Sequence, residues 1–228
     1  MIKAIVTDIE GTTTKLSFVK EVLFPYAYQH LPAYVEKNAH KPEIQQILAQ
    51  ARQIIADEQL STVALIQQFL TWIEQDKKIT PLKTLQGFIW EEGYQSGQLK
   101  SHVYIDAATQ LIAWHKEGLT LAVFSSGSIL AQQLLFAHTE HGDLTYLFSE
   151  FFDTTTGAKN AAESYQIIAE KMGFPPKNIL FLSDISAELD AAHQAGMAVL
   201  GLVREGSLPA SQHVFVKDFY EIKLEALR

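Results

Sequence analysis

The sequence has no cysteine among its 228 residues. This absence excludes disulfide bonds and thiolate catalysis, and it fits a reducing compartment, so we expect a cytoplasmic protein. Basic residues are also scarce, because 18 lysines and arginines stand against 26 aspartates and glutamates, for a formal net charge of -8. Nucleic acids and anionic membrane surfaces attract basic proteins. We therefore expect neither as a partner of this chain.

Long apolar runs are absent as well. No run approaches the roughly 18 residues of a membrane-spanning helix, and the first strand-like segment begins within a few residues of Met1. We therefore expect no membrane span and no targeting peptide. The hydrophobic content of 47% is nevertheless enough for one substantial core and a smaller accessory unit.

The segment 3–14, KAIVTDIEGTTT, is the most informative part of the sequence. Its apolar run with β-branched members is typical of a buried parallel strand, and Gly11 permits a tight exit from the carboxyl end of that strand. Asp8 and Glu10 therefore lie at the edge where ligands bind in open α/β sheets. An aspartate at that edge suits phosphoryl transfer. Taken alone, the segment also fits an ordinary solvated acidic loop.

Two hydroxyl groups follow a second predicted strand. Residues 119–126, LTLAVFSS, form an apolar run that ends in Ser125 and Ser126, and Ser128 follows as a helix cap. Backbone N–H groups at such a strand-to-helix turn point at a bound anion. This second segment therefore predicts an anion site at the same edge of the sheet.

A lysine and two carboxylates follow the next two predicted strands. Lys159 lies shortly after the strand-like residues 151–153, where its ammonium group can neutralise a phosphate. Asp184 ends the strand NILFLSD, and Glu188 follows four residues later on a helical turn. Carboxylate oxygens in this arrangement can hold a hard cation.

Helix and strand patterns alternate from Ala107 onward, which predicts a doubly wound, parallel-sheet α/β core of Rossmann-like type. The predicted elements are helices 107–116, 128–137, 161–172 and 186–195, and strands 119–125, 179–183 and 198–203. Residues 17–105 show helical periodicity only. We therefore predict a catalytic core of residues 1–16 and 106–228 with an inserted α-helical cap of residues 17–105.

The predicted cap contains helices with one apolar stripe each. One stripe runs from Ile44 to Ile55, and another runs from Val63 to Ile73 after Ser61, a predicted N-cap. Residues 82–104 are expected to form the segment that returns to the core. In this segment we predict bends at Gly87, Gly93 and Gly97. We expect Tyr104 and Asp106 to belong to the hinge between cap and core.

A nucleophile, hydroxyl groups, a lysine and an acidic pair, each at or just after a strand end, form the ordered set of the haloacid dehalogenase-like phosphatases, which this chain resembles over nearly its whole length. Within that superfamily the chain is similar to the enolase-phosphatase family of methionine salvage. The segments that carry the likeness are DIEGTTT, FVKEVLFPYA, LQGFIWEEGYQSGQLK, SSGSILAQQLLFAHTEHGDL, FFDTTTGAKNAAESY and FLSDI. Glu10, where most of the superfamily has aspartate, is typical of the family. VREGS at 203–207 departs from the family's usual proline-glycine form, and Ala158 replaces a polar residue.

The resemblance implies catalytic roles for Asp8 and Glu10. Asp8 is the expected nucleophile, which forms an aspartyl-phosphate intermediate, and Glu10 is the expected general acid and base. The implied reaction enolises 2,3-diketo-5-methylthiopentyl-1-phosphate and dephosphorylates the enol to 1,2-dihydroxy-3-keto-5-methylthiopentene. The implied groups that hold the phosphoryl oxygens are Ser125, Ser126 and Lys159.

The resemblance also implies one Mg2+ ion per subunit, bound by Asp8, Glu10 and Asp184, with Glu10 acting through its backbone carbonyl. Oxygen ligands favour magnesium, and none of the eight histidines forms a ligand-type pair. Glu188 is expected beside the ligands rather than among them. The expected partner is a small phosphate ester, and we expect the chain to act as a monomer.

Three other functions remain compatible with parts of the pattern. The chain is also similar to capped phosphatases and phosphotransferases that act on other small phosphate esters, and substrate profiling separates these from an enolase-phosphatase. A receiver-type signalling module also combines acidic residues, a hydroxyl group and a lysine, but it is shorter and its phosphoacceptor follows a later strand. A non-catalytic binding protein does not require all of these groups in this order.

Overall fold

The computed structural model of the chain describes residues 1–207, 209 and 211–226. The predicted core also spans positions 208, 210, 227 and 228, which lie outside the described residues. Contacts divide the chain into two compact units, one formed by residues 1–18 with residues 100 onward and the other by Val19–Leu99. The first unit is α/β and the second is helical. None of the helices in the described part of the chain combines the length and the apolarity of a membrane span.

Within the described residues, six strands form one sheet. They are β1 Ala4–Thr7, β2 Thr120–Phe124, β3 Phe148–Phe152, β4 Ile179–Ser183, β5 Ala198–Leu202 and β6 Phe215–Val216. All the pairs are parallel, and the order is β3-β2-β1-β4-β5-β6. Thr7 at the end of β1 pairs with Val123 of β2 and with Leu182 of β4. The carboxyl ends of these three strands therefore meet where the strand order reverses, which is where such sheets bind ligands.

The helices and shorter helical turns lie between the strands and after the last of them. The α-helices in chain order are α1 Leu16–Phe18, α2 Phe24–Asn38, α3 Pro42–Ile55, α4 Thr62–Glu74, α5 Thr80–Gln95, α6 Ile105–Lys116, α7 Ile129–Ala137, α8 Ala162–Met172 and α9 Ser186–Gln194. A π-helical turn covers Val19–Leu23, and 3-10 turns cover Thr145–Leu147, Pro176–Asn178, Phe219–Glu221 and Leu224–Ala226.

The central strands are apolar because both faces of the sheet are covered. Every residue of β1 and β4 is buried, as are four of the five residues of β2. Val6 and Phe181 pack in one cluster with Tyr165 and Ile168 of α8 and with Leu189 of α9. A parallel sheet buried on both faces has nearly continuous apolar strands, which is the pattern of this sequence. The predicted doubly wound α/β fold is confirmed.

Two predicted helix caps are confirmed. Ser128 precedes α7, and its Oγ accepts a hydrogen bond from the N–H of Ala131 at 3.3 Å. Ser61 precedes α4, and its Oγ accepts from the N–H of Ala64 at 3.2 Å. Each hydroxyl satisfies one of the N–H groups that a helix start leaves without a backbone partner.

The prediction of bends at Gly87 and Gly93 is wrong, because both residues lie inside α5. At Gly93 the reason is packing within the helical unit. A Cβ there would lie 2.7 Å from the Tyr26 ring and 2.8 Å from Leu99, so glycine allows the close approach. Only Gly97 follows the helix, with a left-handed φ of 75°.

The apolar stripes of the helical unit are shorter than predicted. Ile44 and Ile66 are buried, but Ile54 is 52% exposed and Val63 is 67% exposed. Ile54 lies in the last turn of α3 and Val63 in the first turn of α4. The apolar pattern in the sequence continues to the ends of each helix. Residues at those ends are buried only where another element packs against them. That the helical unit acts as a cap stays a prediction.

Candidate active site

Asp8 is the first residue after β1 and is 5% exposed. Its N–H donates to the carbonyl of Leu182 in β4 at 2.8 Å, which extends the strand pairing by one residue. The hydroxyl of Thr13 donates to the Asp8 carbonyl at 3.4 Å. The backbone of Asp8 is therefore anchored on both sides, and its carboxylate lies at the carboxyl edge of the sheet.

A tight turn places Glu10 two residues beyond Asp8. The carbonyl of Ile9 accepts hydrogen bonds from the N–H groups of three successive threonines at 3.2, 3.0 and 2.9 Å, those of Thr12, Thr13 and Thr14. The N–H of Gly11 donates to the carbonyl of Thr14 at 2.8 Å, and Glu10 forms a bridge with Thr14. Because the threonine side chains are fully buried, this turn is part of the packed core.

Lys159 lies between two carboxylates. Its Nζ is 2.6 Å from Asp8 Oδ1 and 2.8 Å from Glu188 Oε2, and its side chain is 9% exposed. Burial acts to lower the pKa of Lys159, but the two carboxylates outweigh burial and raise the pKa above its ordinary value. The Nζ also lies 5.7 Å from the ring centre of Phe124, at the end of β2. A charged ammonium group therefore stands between the ends of β1 and β2.

Two hydroxyl groups of α8 hold the segment that carries Lys159. The hydroxyl of Tyr165 donates to the Lys159 carbonyl at 2.6 Å, and that of Ser164 donates to the Ala158 carbonyl at 2.7 Å. Sequence analysis assigned no role to either residue. The sequence does carry a signal for Tyr165, because a buried tyrosine on the apolar stripe of a helix needs a hydrogen-bond partner.

Asp184 directly follows β4, beside Gly11. Its Oδ1 is buried, and no group in the described part of the chain donates a hydrogen bond to it. Burial, with a further contribution from the Asp8 carboxylate, raises the pKa of Asp184 to about 7. An orphaned carboxylate oxygen next to a second carboxylate is a site that a cation would stabilise.

Glu188 connects the lysine to the end of β4. Its Oε2 accepts a hydrogen bond from the hydroxyl of Ser183 at 2.8 Å and forms an ion pair with Lys159 Nζ, also at 2.8 Å. Burial and the nearby Asp8 carboxylate raise the pKa of Glu188. That Glu188 supports the site from beside the metal ligands stays a prediction.

The loop after β2 is held by the neighbouring strand β3. The N–H of Ser125 donates to the Phe152 carbonyl at 3.1 Å, and its Oγ accepts from the N–H of Gly127 at 3.2 Å. Sequence analysis missed Gln132, whose side-chain amide donates to the carbonyls of Gly127 and Phe152 at 2.8 and 2.9 Å. Ser125 is 4% exposed, whereas Ser126 is exposed. The loop therefore presents one buried and one accessible hydroxyl group.

The structure thus brings together several of the predicted site residues. Asp8, Lys159 and Glu188 are in direct contact, and the Asp184 carboxylate interacts with that of Asp8. Glu10 lies in the turn that follows Asp8, and the two serines follow the adjacent strand. In the residues that the structure describes, no three His, Cys, Asp or Glu side chains group as a metal site by themselves. The arrangement offers a nucleophile, a neighbouring cation and carboxylate oxygens at one sheet edge.

Comparisons with known proteins show the family of the chain. A family model described as haloacid dehalogenase-like hydrolase matches residues 2–196. The chain is 52% identical to Enolase-phosphatase E1 of Methylococcus capsulatus, with 100% of both chains covered. It is 48% identical to Enolase-phosphatase E1 of Aquifex aeolicus, with 98% of this chain and 100% of the relative covered.

Solved structures show the same fold. The crystal structure of the Unknown transcript 4 protein of Saccharomyces cerevisiae matches with a TM-score of 0.83 and 32% identity, covering 97% of this chain and 100% of that one. A dehalogenase structure matches with a TM-score of 0.58 and 18% identity over 96% of this chain and 95% of that one, a likeness of fold alone. The chain therefore belongs to the haloacid dehalogenase-like hydrolases and, among them, to the enolase-phosphatase E1 family.

Proposed function

We propose that this protein is a magnesium-dependent enolase-phosphatase (acireductone synthase) of methionine salvage. Its substrate would be 2,3-diketo-5-methylthiopentyl-1-phosphate, which it would enolise and then dephosphorylate to 1,2-dihydroxy-3-keto-5-methylthiopentene. The observation that carries the proposal is the buried contact of 2.6 Å between the Asp8 carboxylate and Lys159 at the carboxyl end of β1. In a chain of the enolase-phosphatase family, this contact supports the roles of Asp8 as nucleophile and of Lys159 as the cation that neutralises the phosphate.

Asp8 is the proposed nucleophile of the phosphatase step. Its carboxylate oxygen attacks phosphorus in line, forming an aspartyl-phosphate bond while the bond from phosphorus to the leaving oxygen breaks. The backbone contacts of Asp8 to Leu182 and Thr13 fix the backbone position from which its side chain attacks. Lys159, together with Ser125 and Ser126, would hold the phosphoryl oxygens as charge spreads over them.

Glu10 is the proposed acid and base. In the first step its carboxyl group gives a proton to the leaving oxygen, and in the second it takes a proton from water. The water oxygen then attacks phosphorus, and the bond to Asp8 breaks, which releases phosphate and restores the Asp8 carboxylate and the protonated Glu10 carboxyl group. Because the turn after β1 is closed by hydrogen bonds, Glu10 has one fixed backbone position for both proton transfers. Glu10 is also the simplest candidate for the enolising base, because one group would then serve all the proton transfers.

The carboxylates of Asp8 and Asp184 and the backbone carbonyl of Glu10 are the proposed magnesium ligands. These residues fit a hard cation, because all three donors are oxygens and Asp184 has a buried oxygen without a hydrogen-bond donor among the described residues. When bound, Mg2+ would offset the repulsion between Asp8 and the phosphate and polarise the diketone. Gly11 leaves room for the Asp184 carboxylate, since a Cβ at Gly11 would overlap that carboxylate.

We expect replacement of Gly11 by alanine to abolish binding of magnesium. Gly11 has a φ of 74°, and the added Cβ would displace the Asp184 carboxylate. In thermal unfolding with chelator and with Mg2+ at about 100 times its Kd, the normal chain would gain about 2.7 kcal/mol from the metal, and the variant would gain nothing. The matched control is Gly118→Ala, because Gly118 has a φ of 87° but open space around its Cβ position. An equal metal response in the two variants would contradict the assignment of this site.

A phosphatase for another small phosphate ester is the second candidate, since the same nucleophile and cation would serve any phosphoryl group. We also propose that the protein is a cytoplasmic monomer and that its helical unit serves as the cap.

The deciding experiment measures phosphate release and the ultraviolet absorbance of the enol from the diketone phosphate, with Mg2+ and with chelator. We expect both signals with Mg2+ and neither phosphate nor enol with chelator. Phosphate release from other esters, without enol from the diketone phosphate, would leave a phosphatase and overturn the enolase assignment.

A further inference from the structure

Arg204 follows β5 and lies outside the proposed catalytic group, yet its side chain is only 6% exposed. Its Nε donates to the carbonyl of Thr12 at 2.7 Å, and its Nη1 donates to Asp106 Oδ2 at 2.6 Å. Thr12 is two residues beyond Glu10 in the same turn. Burial of an arginine is costly unless its charge and its donors are matched. The structure matches the charge with the Asp106 carboxylate and one donor with the turn that carries Glu10, while the buried Nη2 has no hydrogen-bond partner among the described residues.

Further groups of the α/β unit hold the guanidinium group, and its Nη1 also donates to the Lys217 carbonyl at 3.4 Å. Asp106 Oδ2 also accepts a hydrogen bond from the N–H of Phe219 at 2.8 Å, which fixes the carboxylate. The rings of Tyr104 and Phe219 lie over the guanidinium carbon at 4.2 and 5.1 Å. The Nε and Nη1 bonds and the two rings fix the guanidinium group, and the Nε bond supports a neighbouring segment.

The segment that Arg204 supports is the turn 9–14. The N–H of Thr12 is used inside the turn, where it donates to the Ile9 carbonyl at 3.2 Å. The Thr12 hydroxyl is buried and has no hydrogen-bond partner within the described residues. Its carbonyl is the group of Thr12 that reaches another part of the fold, through Arg204. This bond therefore ties the far side of the turn to β5 and α6.

We propose that Arg204 is a positioning residue for the proton transfers of the enolase-phosphatase reaction. By holding the Thr12 carbonyl, it fixes the turn and thereby the direction of the Glu10 carboxyl group. The inference rests on the proposed function, since it requires Glu10 to transfer protons. Arginine suits the task because its planar fork donates to two acceptors in different directions while its faces stack on rings. Lysine keeps the charge, but it lacks the planar guanidinium group that donates to both acceptors and stacks on the rings.

The test is a double-mutant cycle with Arg204→Lys and Glu10→Gln, measured as single-turnover phosphate release from the diketone phosphate. With Glu10 present, we expect Arg204→Lys to lower the rate about 10- to 100-fold, as a displacement of about 1 Å does. KM should change less than about twofold, because a residue that acts only by positioning Glu10 leaves substrate binding unchanged. In the Glu10→Gln background, the same replacement should cost less than about threefold. A purely structural role predicts an equal loss in both backgrounds.

Arg52→Lys is the matched control. Arg52 also donates its Nε to a backbone carbonyl, that of Leu60 at 2.9 Å, but it lies in the helical unit. We expect this variant to keep the normal rate. Chemical rescue adds an independent readout. Guanidinium ion at millimolar concentration should restore part of the rate of Arg204→Ala by entering the space between the two rings, whereas sodium ion at equal ionic strength should not.

The outcomes separate this inference from the proposed function. If the normal chain releases no phosphate from the diketone phosphate, the proposed function fails. If the normal chain is active, but Arg204→Lys matches Arg52→Lys or its loss is the same with and without Glu10, the inference about Arg204 fails alone. A loss that depends on Glu10, with rescue by guanidinium, supports it.

Discussion

An Asp8→Asn protein is expected to release no phosphate from the diketone phosphate while still forming the enol. Asparagine lacks the carboxylate that attacks phosphorus, so we expect the rate of phosphate release to fall about 10,000-fold or more. Its side-chain oxygen can still accept the hydrogen bond that Lys159 gives to Asp8 Oδ1 at 2.6 Å, so the site should keep its shape. Enolisation moves a proton at carbon and needs no bond between Asp8 and phosphorus.

The measurement follows ultraviolet absorbance and free phosphate in the same reaction with Mg2+. The control is Asp153→Asn, because Asp153 also follows a strand, β3, and its Oδ1 accepts hydrogen bonds from the N–H and hydroxyl of Thr155. We expect that control to keep both signals. Loss of enol formation together with phosphate release in Asp8→Asn would show that the two steps share the Asp8 carboxylate and would refute their separation.

Lys159→Met is expected to impair both activity and stability. Nζ of Lys159 lies within 2.8 Å of both Asp8 and Glu188, so its removal leaves two buried carboxylates without their cation. Breaking a buried ion pair from one side costs about 3 kcal/mol of unfolding free energy or more. The phosphoryl group also loses a positive donor, so kcat/KM should fall about 1,000-fold. Urea unfolding with chelator and steady-state phosphate release, both at pH 8, measure the two effects.

The pH of these measurements follows from the raised pKa of Lys159. A lysine with a raised folded pKa contributes its full stability below the ordinary lysine pKa of about 10.4, and the contribution is lost as pH rises through the folded value. The difference between the normal chain and Lys159→Met should therefore be present at pH 8 and decline only in strongly alkaline solution. Lys177→Met is the control, because Lys177 is exposed. Equal unfolding free energies for both variants would show that the buried ion pairs do not stabilise the fold.

The sequence by itself determined the elements and the order of the chemical groups. Continuous apolar runs predicted β1, β2 and β4, because strands buried on both faces are mostly apolar. Ser61 and Ser128 predicted helix starts, because a hydroxyl at that position satisfies an N–H only one turn away. Such signals are local, so they can be read from neighbouring residues. The places of Asp8 and Asp184 after their strands were predictable for the same reason.

Only the tertiary structure decided which distant groups meet. Lys159 reaches Asp8 across 151 positions, and Arg204 reaches Asp106 across 98, because the strand order places their segments side by side. No periodicity encodes such pairs. The tertiary structure also decided that Gly93 lies inside a helix, where it allows close packing against Tyr26. Contacts of this kind depend on how whole elements pack, and a residue's neighbours in sequence carry no record of its neighbours in space.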